Sequence, residues 1–380
     1  MARTRGTGQI IPRGKDKWLV RIFKGRDSTG RKLYFNKVIS GSKTDAQKYL
    51  TAKSREKDVG VFIENTRMSL DEHLNNWLSA IKSRVAEQTY ESYETQVRVH
   101  IRPRIGRLRL TNVRIHDVQK VYSEMTDQGL SPTTVRYAHA VLAMAMKKAI
   151  ELDYIIKNPC DFVELPKQVK KETKAMSPGE ASAFLAQTAS DKYGLVFEFA
   201  LITGMRPEEY LSLFWSDVDF KRGIVTVQRA LVWKKGGGYK FGETKTKRSR
   251  RSIPLPDNLM TKLKHHRRLQ LELRMKLGDA YEKLDLVFAT DLGTPLHYRN
   301  LTKRHYEKIL KGAGLQEEGF VLYSLRHTCA TLLLASGENP KVVSERLGHS
   351  SVKTTLDTYS HVLPDMQKSA SDRLEAMLYR

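Results

Sequence analysis

The sequence predicts a multidomain protein, mainly α with small β-sheets, and three observations carry that expectation. The chain has 380 residues, 40% of them hydrophobic, which is enough for two or three separate cores. Two Ser-x-x-Glu capping boxes, Ser69 to Glu72 and Ser177 to Glu180, each open a stretch with apolar residues at helical spacing, and so mark the starts of helical regions. β-branched and aromatic residues gather instead in short runs near the N-terminus and again around residues 224–255, where small sheets are expected.

Charge narrows the partner. Lys and Arg number 66 against 42 acids, a formal net charge of +24, and an excess of that size draws polyanions by releasing their counterions. Nucleic acid is the leading partner; solubility alone is the plainer alternative. No apolar run approaches the roughly 20 residues that span a bilayer, and "MARTRGTGQIIPRGKDK" lacks the apolar segment of a secretory signal. The expectation is therefore a cytoplasmic, nucleoid-associated protein of a bacterial cell with no membrane partner. Cys160 and Cys329 suit a reducing compartment and suggest neither a disulfide framework nor a metal cluster.

The first module covers residues 1–60. Residues 1–58 hold 16 Lys or Arg and 5 acids, net +11. Within them "KWLVRIFKG" and "KLYFNKVIS" flank the turn-like "RDSTGR" and read as a hairpin. A helix over about Lys43–Lys57 follows, and the module is expected to be a three-stranded sheet backed by that helix. Its aromatics, Trp18, Phe23, Tyr34 and Phe35, argue against a mere basic tail. Residues 68–160 read as a bundle of about four helices. The first carries Leu70, Leu74, Trp77, Leu78 and Ile81 on one face, and the last opens with Ser131 as N-cap and Pro132 in the first turn. Residues 161–176, rich in Pro and Lys, read as a linker. The third domain, 177–380, is expected to be mostly helical, interrupted by "IVTVQRALVW" and "KRSRRSIPL" as two strands joined by the Gly-rich "KKGGGYKFGETK".

Cofactor motifs such as a phosphate-binding Gly-rich loop or clustered metal ligands are absent from the sequence, so no cofactor and no metal is expected and chemistry falls to ordinary side chains. Four stretches of the third domain offer them: "TGMRPEEYLSLFWSDVDF" with Arg206, "ETKTKRSRRSIPL" with Lys245 and Lys247, "LYSLRHTCATLLLASG" with Arg326, and "LGHSSVKTTLDTYSHV" with His349 and Tyr359. Taken singly, an Arg at a helix end is commonly a dipole partner, a His after Gly a cap, and a Tyr a packing residue. Together they suit one reaction. Two guanidiniums can grip the nonbridging oxygens of a phosphodiester, a Lys can protonate the departing oxygen, and a Tyr can attack phosphorus.

In these four stretches, taken in this order, the sequence resembles the tyrosine recombinase (phage integrase) family, and the resemblance extends over nearly the whole chain. It implies an arm-type DNA-binding domain at residues 1–60, a helical SAM-like core-binding domain at 68–160, and a mixed, mainly α tyrosine recombinase catalytic domain with a β-hairpin. The implied activity is site-specific recombination: Tyr359 attacks the scissile phosphate, Arg206 and Arg326 stabilise the transition state, Lys245 acts as general acid, and His349 hydrogen-bonds the phosphate or assists Tyr359. One position departs from the pattern. The family usually has His three residues before the second Arg, and here Tyr323 stands there, which can donate a hydrogen bond but cannot become cationic.

Expected partners are double-stranded DNA at attachment sites, three further copies of the chain in a homotetramer on DNA, and accessory bending and excision proteins. Candidate DNA contacts are Arg21, Phe23, Tyr34 and Asn36 on the first sheet, and Thr89, Tyr93, Thr134, Arg136 and Lys147 in the helical domain. A type IB topoisomerase would use a similar residue set without exchanging strands, and a non-enzymatic DNA-binding regulator would explain the charge alone.

Overall fold

A computed structural model describes residues 8–26, 30–58, 67–168, 174–234, 236–243, 250–359, 371–372 and 374–379. The chain divides into two compact units, Met1–Lys170 and Lys171–Arg380.

The first unit contains two cores. Strands β1 (Gln9–Pro12), β2 (Lys17–Arg26) and β3 (Lys32–Ser40) form an antiparallel sheet in that order, followed by helix α1 (Lys43–Asp58). Because strand side chains alternate, Val20, Ile22 and Phe35 point to one face and bury against Ala46 and Leu50 of α1. The register pairs Arg21 with Asn36 and Phe23 with Tyr34, which puts these four on the opposite face. Residues Asp27 and Ser28 of the expected turn lie outside the described residues.

The helical core follows with α2 (Leu70–Ile81), α3 (Glu87–Thr95), α4 (Arg102–Ile105), α5 (Ile115–Asp127) and α6 (Pro132–Glu151). The Ser69–Glu72 capping box closes the start of α2. Between α3 and α4 a π-helical turn spans Gln96–Ile101, so the three segments form one continuous rod and the bundle has four rods, as the periodicity predicts. The cause of the π turn is local. Pro103 has no N–H to give Val99, and the Arg104 guanidinium instead donates to the Val99 and His100 carbonyls at 3.4 and 2.9 Å. Leu74, Val97, Ile101, Leu110, Val118, Val135, Leu142 and Met146 fill the centre.

The segment expected as a linker is partly docked. Val163 and Leu165 pack against the helical core, Gln119 exchanges hydrogen bonds with the Glu164 backbone, and Arg136 Nε donates to the Pro166 carbonyl at 2.9 Å. Two apolar side chains at alternate positions of an extended strand find bundle surface, and its backbone polar groups find side-chain partners.

In the second unit come α7 (Pro178–Thr188), opened by the Ser177–Glu180 capping box, α8 (Gly194–Thr203) and the short α9 (Pro207–Tyr210). Strands β4 (Val218–Asp219), β5 (Ile224–Val227), β6 (Arg229–Trp233), β7 (Tyr239–Glu243) and β8 (Arg251–Pro254) follow. Helices α10 (Asp257–Leu277), α11 (Tyr298–Leu301), α12 (Glu307–Gly312), α13 (Ser324–Ala335), α14 (Pro340–Leu347) and α15 (Val352–Thr358) complete the unit. Helix α8 is apolar on nearly all sides and runs through the core among Phe184, Tyr306 and Phe288.

The strands differ from the expected pair. β5 pairs with β8 on one side and with β4 on the other in one sheet, whereas β6 and β7 form a separate hairpin across the Gly-rich segment. The run "IVTVQRALVW" is therefore two strands that break at Gln228 and belong to different sheets. In β7, Tyr239 and Phe241 alternate with Lys240 and meet Trp233 and Phe214, so this short stretch has an apolar face of its own.

Candidate active site

The site begins where α8 ends. Gly204 adopts a left-handed conformation, φ +64°, and a Cβ there would come within 2.7 Å of Leu347 and 3.1 Å of Cys329 Sγ. Glycine is required on both counts. The turn exposes the Gly204 carbonyl, which accepts a hydrogen bond from Arg326 Nη1 at 2.7 Å.

Arg206 follows as N-cap of α9, with Pro207 in the first turn. Three residues on, Glu209 turns back: its Oε2 accepts from the Arg206 backbone N–H at 2.9 Å and its Oε1 from Arg206 Nη1 at 2.8 Å. The same carboxylate, 3% exposed, accepts from Arg251 of β8 at 3.2 and 2.9 Å. Burial works to raise the Glu209 pKa, but Arg251 and Arg206 outweigh it and hold the group below the usual carboxylate range. Arg251 Nε also donates to the Arg346 carbonyl near the end of α14, and Arg206 Nη2 reaches the Gly348 carbonyl at 3.4 Å. A buried carboxylate thus joins α9, β8 and the α14 terminus.

Arg326 lies in the first turn of α13 and is only 2% exposed. Its Nη2 is buried and has no hydrogen-bond partner among the described residues. Burial, then the nearby Arg206 guanidinium, depresses its pKa to about 10. His349 follows Gly348, the left-handed residue that ends α14. Its Nδ1 is paired with Thr355 Oγ1 at 2.8 Å, and burial together with Arg326, Arg206 and Arg251 lowers its pKa to about 4, so the ring is neutral at pH 7.

Tyr359 closes α15. It is 2% exposed, packed with Ala330, Leu334, Val343 and Leu347 of α13 and α14, and its hydroxyl meets His327 Nδ1 at 2.9 Å. Burial raises its pKa, opposed by Arg326. Tyr323, half-buried at the start of α13, lies with its ring 5.2 Å from that of His327 and close enough to Arg206 and Arg326 to influence both.

Five of the expected site residues, Arg206, Tyr323, Arg326, His349 and Tyr359, therefore lie in one cluster. Lys245 lies outside the described residues, as does Lys247. On the N-terminal sheet, Arg21 sits 3.9 Å over the Tyr34 ring, Phe23 contacts Tyr34 edge-on, and Asn36 is exposed. In the helical domain, Lys147 is exposed and Thr89 half-buried, whereas Thr134 takes part in capping α6, Arg136 holds Pro166, and Tyr93 stacks on Trp77 at 5.9 Å. Two residues of the cluster, Glu209 and Arg251, escaped the sequence reading, and His327, which with Arg326 opens an otherwise apolar helix, carried no assigned role there. The first carried a readable sign, a Glu at the third position of a helix, which is where an acidic side chain folds back on the N-cap.

Comparison with known families supplies the rest. The model of the phage integrase family matches residues 170–366, over half of the chain. This chain belongs to the phage integrase family. A second model, the N-terminal SAM-like domain of phage integrases, matches residues 69–126. The sequence is similar to that of a "Tyrosine recombinase XerC-like" protein of Caldanaerobacter subterraneus subsp. tengcongensis, 29% identical over 96% of this chain and 97% of that protein. It is similar too to that of the ICEBs1 integrase of Bacillus subtilis, 29% identical over 69% of this chain and 73% of that one. Among solved structures, the Tn1549 transposon integrase in complex with a circular intermediate DNA superposes with a TM-score of 0.67 at 23% identity, over 81% of this chain and 99% of that one. A lambda integrase tetramer bound to a Holliday junction gives 0.60 at 18% identity, over 94% of this chain and 96% of the other. The chain is a tyrosine-type site-specific recombinase.

Proposed function

We propose that this recombinase cuts and rejoins DNA at attachment sites through a 3′-phosphotyrosyl intermediate, integrating and excising a mobile element. The observation that carries the reading is Arg326 Nη2, a buried guanidinium donor left without a partner in the cluster that holds Arg206 and Tyr359. Leaving such a donor unpaired costs about 1–3 kcal/mol or more, and a phosphate oxygen is the acceptor that would satisfy it.

In this reading Tyr359 attacks phosphorus, Arg206 and Arg326 neutralise the charge that develops on the nonbridging oxygens, and Lys245 protonates the leaving 5′ oxygen. His349, neutral in the free protein, donates to the phosphate. Tyr323 supports the nonbridging oxygens as a neutral donor. The bond energy stays in the phosphotyrosyl link until a second 5′ hydroxyl attacks it, so rejoining needs no nucleotide. The N-terminal sheet would read outlying sites while the helical domain grips DNA near the cleavage position. The lambda integrase assembly supports a tetramer on DNA, and accessory bending and excision proteins would shape the complex.

A suicide substrate, in which the 5′-hydroxyl fragment diffuses away, tests the chemistry. A covalent protein–DNA adduct mapped to Tyr359 is expected, followed by exchange between two duplexes. Adduct formation with relaxation but no exchange would point to topoisomerase action, and specific binding with no adduct would reduce the protein to a regulator.

A further inference from the structure

Resting on the phosphotyrosyl reading, we propose that His327 is the proton acceptor for Tyr359. The two groups are already joined, Tyr359 hydroxyl to His327 Nδ1 at 2.9 Å, with ring centroids 5.6 Å apart. The phenol is the donor in this pair, because burial favours its protonated form and a neutral imidazole keeps one nitrogen free to accept.

Rival bases are weaker on the geometry. His349 has its Nδ1 committed to Thr355, and the arginines around it make it a poor base near neutral pH. Tyr323 makes its contact with the His327 ring rather than with the Tyr359 hydroxyl. It stands four residues before His327, on the same helical face and in ring contact with it. The imidazole that position 323 lacks is thus supplied one turn further along α13, where it touches the attacking oxygen. Among the groups that face His327 are Tyr323 at the N-cap of α13, His349 beyond α14, and Tyr359 itself.

The step balances. As the Tyr359 oxygen forms its bond to phosphorus, its O–H bond breaks and the proton passes to His327 Nδ1. The bond from phosphorus to the 5′ oxygen breaks with its electron pair leaving on oxygen, and that oxygen takes a proton from Lys245. On rejoining, a 5′ hydroxyl gives its proton to the neutral Lys245 as its oxygen bonds to phosphorus, and the displaced phenolate recovers its proton from the His327 imidazolium.

The test is single-turnover cleavage of a suicide substrate by the full chain and by His327→Ala and His327→Gln variants, with specific DNA binding as the control for folding. Both variants should cleave about a hundredfold or more slowly at pH 7, with DNA affinity unchanged. The deficit should shrink as pH rises toward the phenol's own ionisation. A 5′-bridging phosphorothiolate, whose leaving group needs no proton, should not restore either variant. Cleavage by His327→Gln near the wild-type rate would overturn the proposal, since Gln keeps a hydrogen bond but takes no proton. A deficit that is constant with pH, or that phosphorothiolate repairs, overturns it as well. If the wild-type chain forms a Tyr359 adduct and the variants match it, this proposal alone falls; if the wild-type chain forms none, the phosphotyrosyl reading falls with it.

Discussion

The free face of the N-terminal sheet and the arginine cluster of the second unit both gather polar and aromatic side chains, but they are built in opposite ways. Arg21, Phe23, Tyr34 and Asn36 come from two neighbouring strands, paired across a short span, and stand half or fully open to solvent. Arg206, Arg326, His349 and Tyr359 come from three stretches spread over more than a hundred and fifty residues, and Arg326 and Tyr359 are 2% exposed. An exposed face adds or loses affinity one contact at a time. A buried cluster holds each charge through the others, so one change there alters rate and stability together.

The sharpest way to test that contrast is Tyr359→Phe, which deletes one oxygen. Covalent attachment should fall by at least about ten-thousandfold, read as adduct on a denaturing gel, while DNA affinity stays within a few fold. Next, Arg206→Ala and Arg326→Ala should each lower single-turnover cleavage by at least about a hundredfold. Near-wild-type rates would assign them to structure alone. Glu209→Gln leaves two guanidiniums without their buried counter-charge and should destabilise the second unit by about 3 kcal/mol, measured by denaturant unfolding, and slow cleavage through Arg206. A rate loss without a stability loss would break the picture of mutual support.

A milder effect comes from pH. The folded His349 has a pKa of about 4, below the ordinary value of 6.5. Between those values the unfolded chain binds the extra proton, so stability is full above about pH 6.5 and declines toward pH 4, by at most about 1.4 kcal/mol per pH unit. His349→Gln should flatten that part of the pH–stability curve. The smallest change belongs to the sheet: Arg21→Ala should weaken binding only several-fold and lower the salt slope by about one. A chain starting near Arg67 should lose footprints at outlying repeats and keep those at the cleavage site. Unchanged footprints would leave the sheet only a general attraction for DNA.

What the sequence made legible follows the same division. Ser69–Glu72, Ser177–Glu180 and Ser131 are local signals, and the helices begin where they stand. The two faces of the first sheet follow from strand alternation alone, with Val20 and Ile22 two residues apart on the buried side and Arg21 between them on the other. The second hairpin was harder, because "IVTVQRALVW" reads as one β-rich run and the change of sheet at Gln228 depends on long-range pairing of β5 with β8. Arg251 hid in the basic run "KRSRR", where nothing in the sequence says that one guanidinium folds inward onto Glu209. His327 was visible beside Arg326 but without a role, since adjacency on a helix conceals that its ring points to a residue thirty-two positions later. Val163 and Leu165 looked like linker because an extended segment has no helical period to betray its docking.

The carboxylate of Glu209 has one more consequence. Arg206, Arg251 and Arg326 surround it closely enough for all three to affect it or one another, and one carboxylate does not balance three guanidiniums. A phosphodiester in its ground state brings one negative charge; the five-coordinate phosphorus of the proposed reaction carries two. In the proposed reaction the surplus of positive charge is met more fully at the barrier than at substrate binding, which is the condition for an enzyme to hold its transition state more tightly than its substrate. The neutral ring of His349 records the same imbalance. Burial first and the surrounding arginines second keep that ring unprotonated, so in the proposed reaction a bound phosphate would ease the second cause and make His349 a better hydrogen-bond donor.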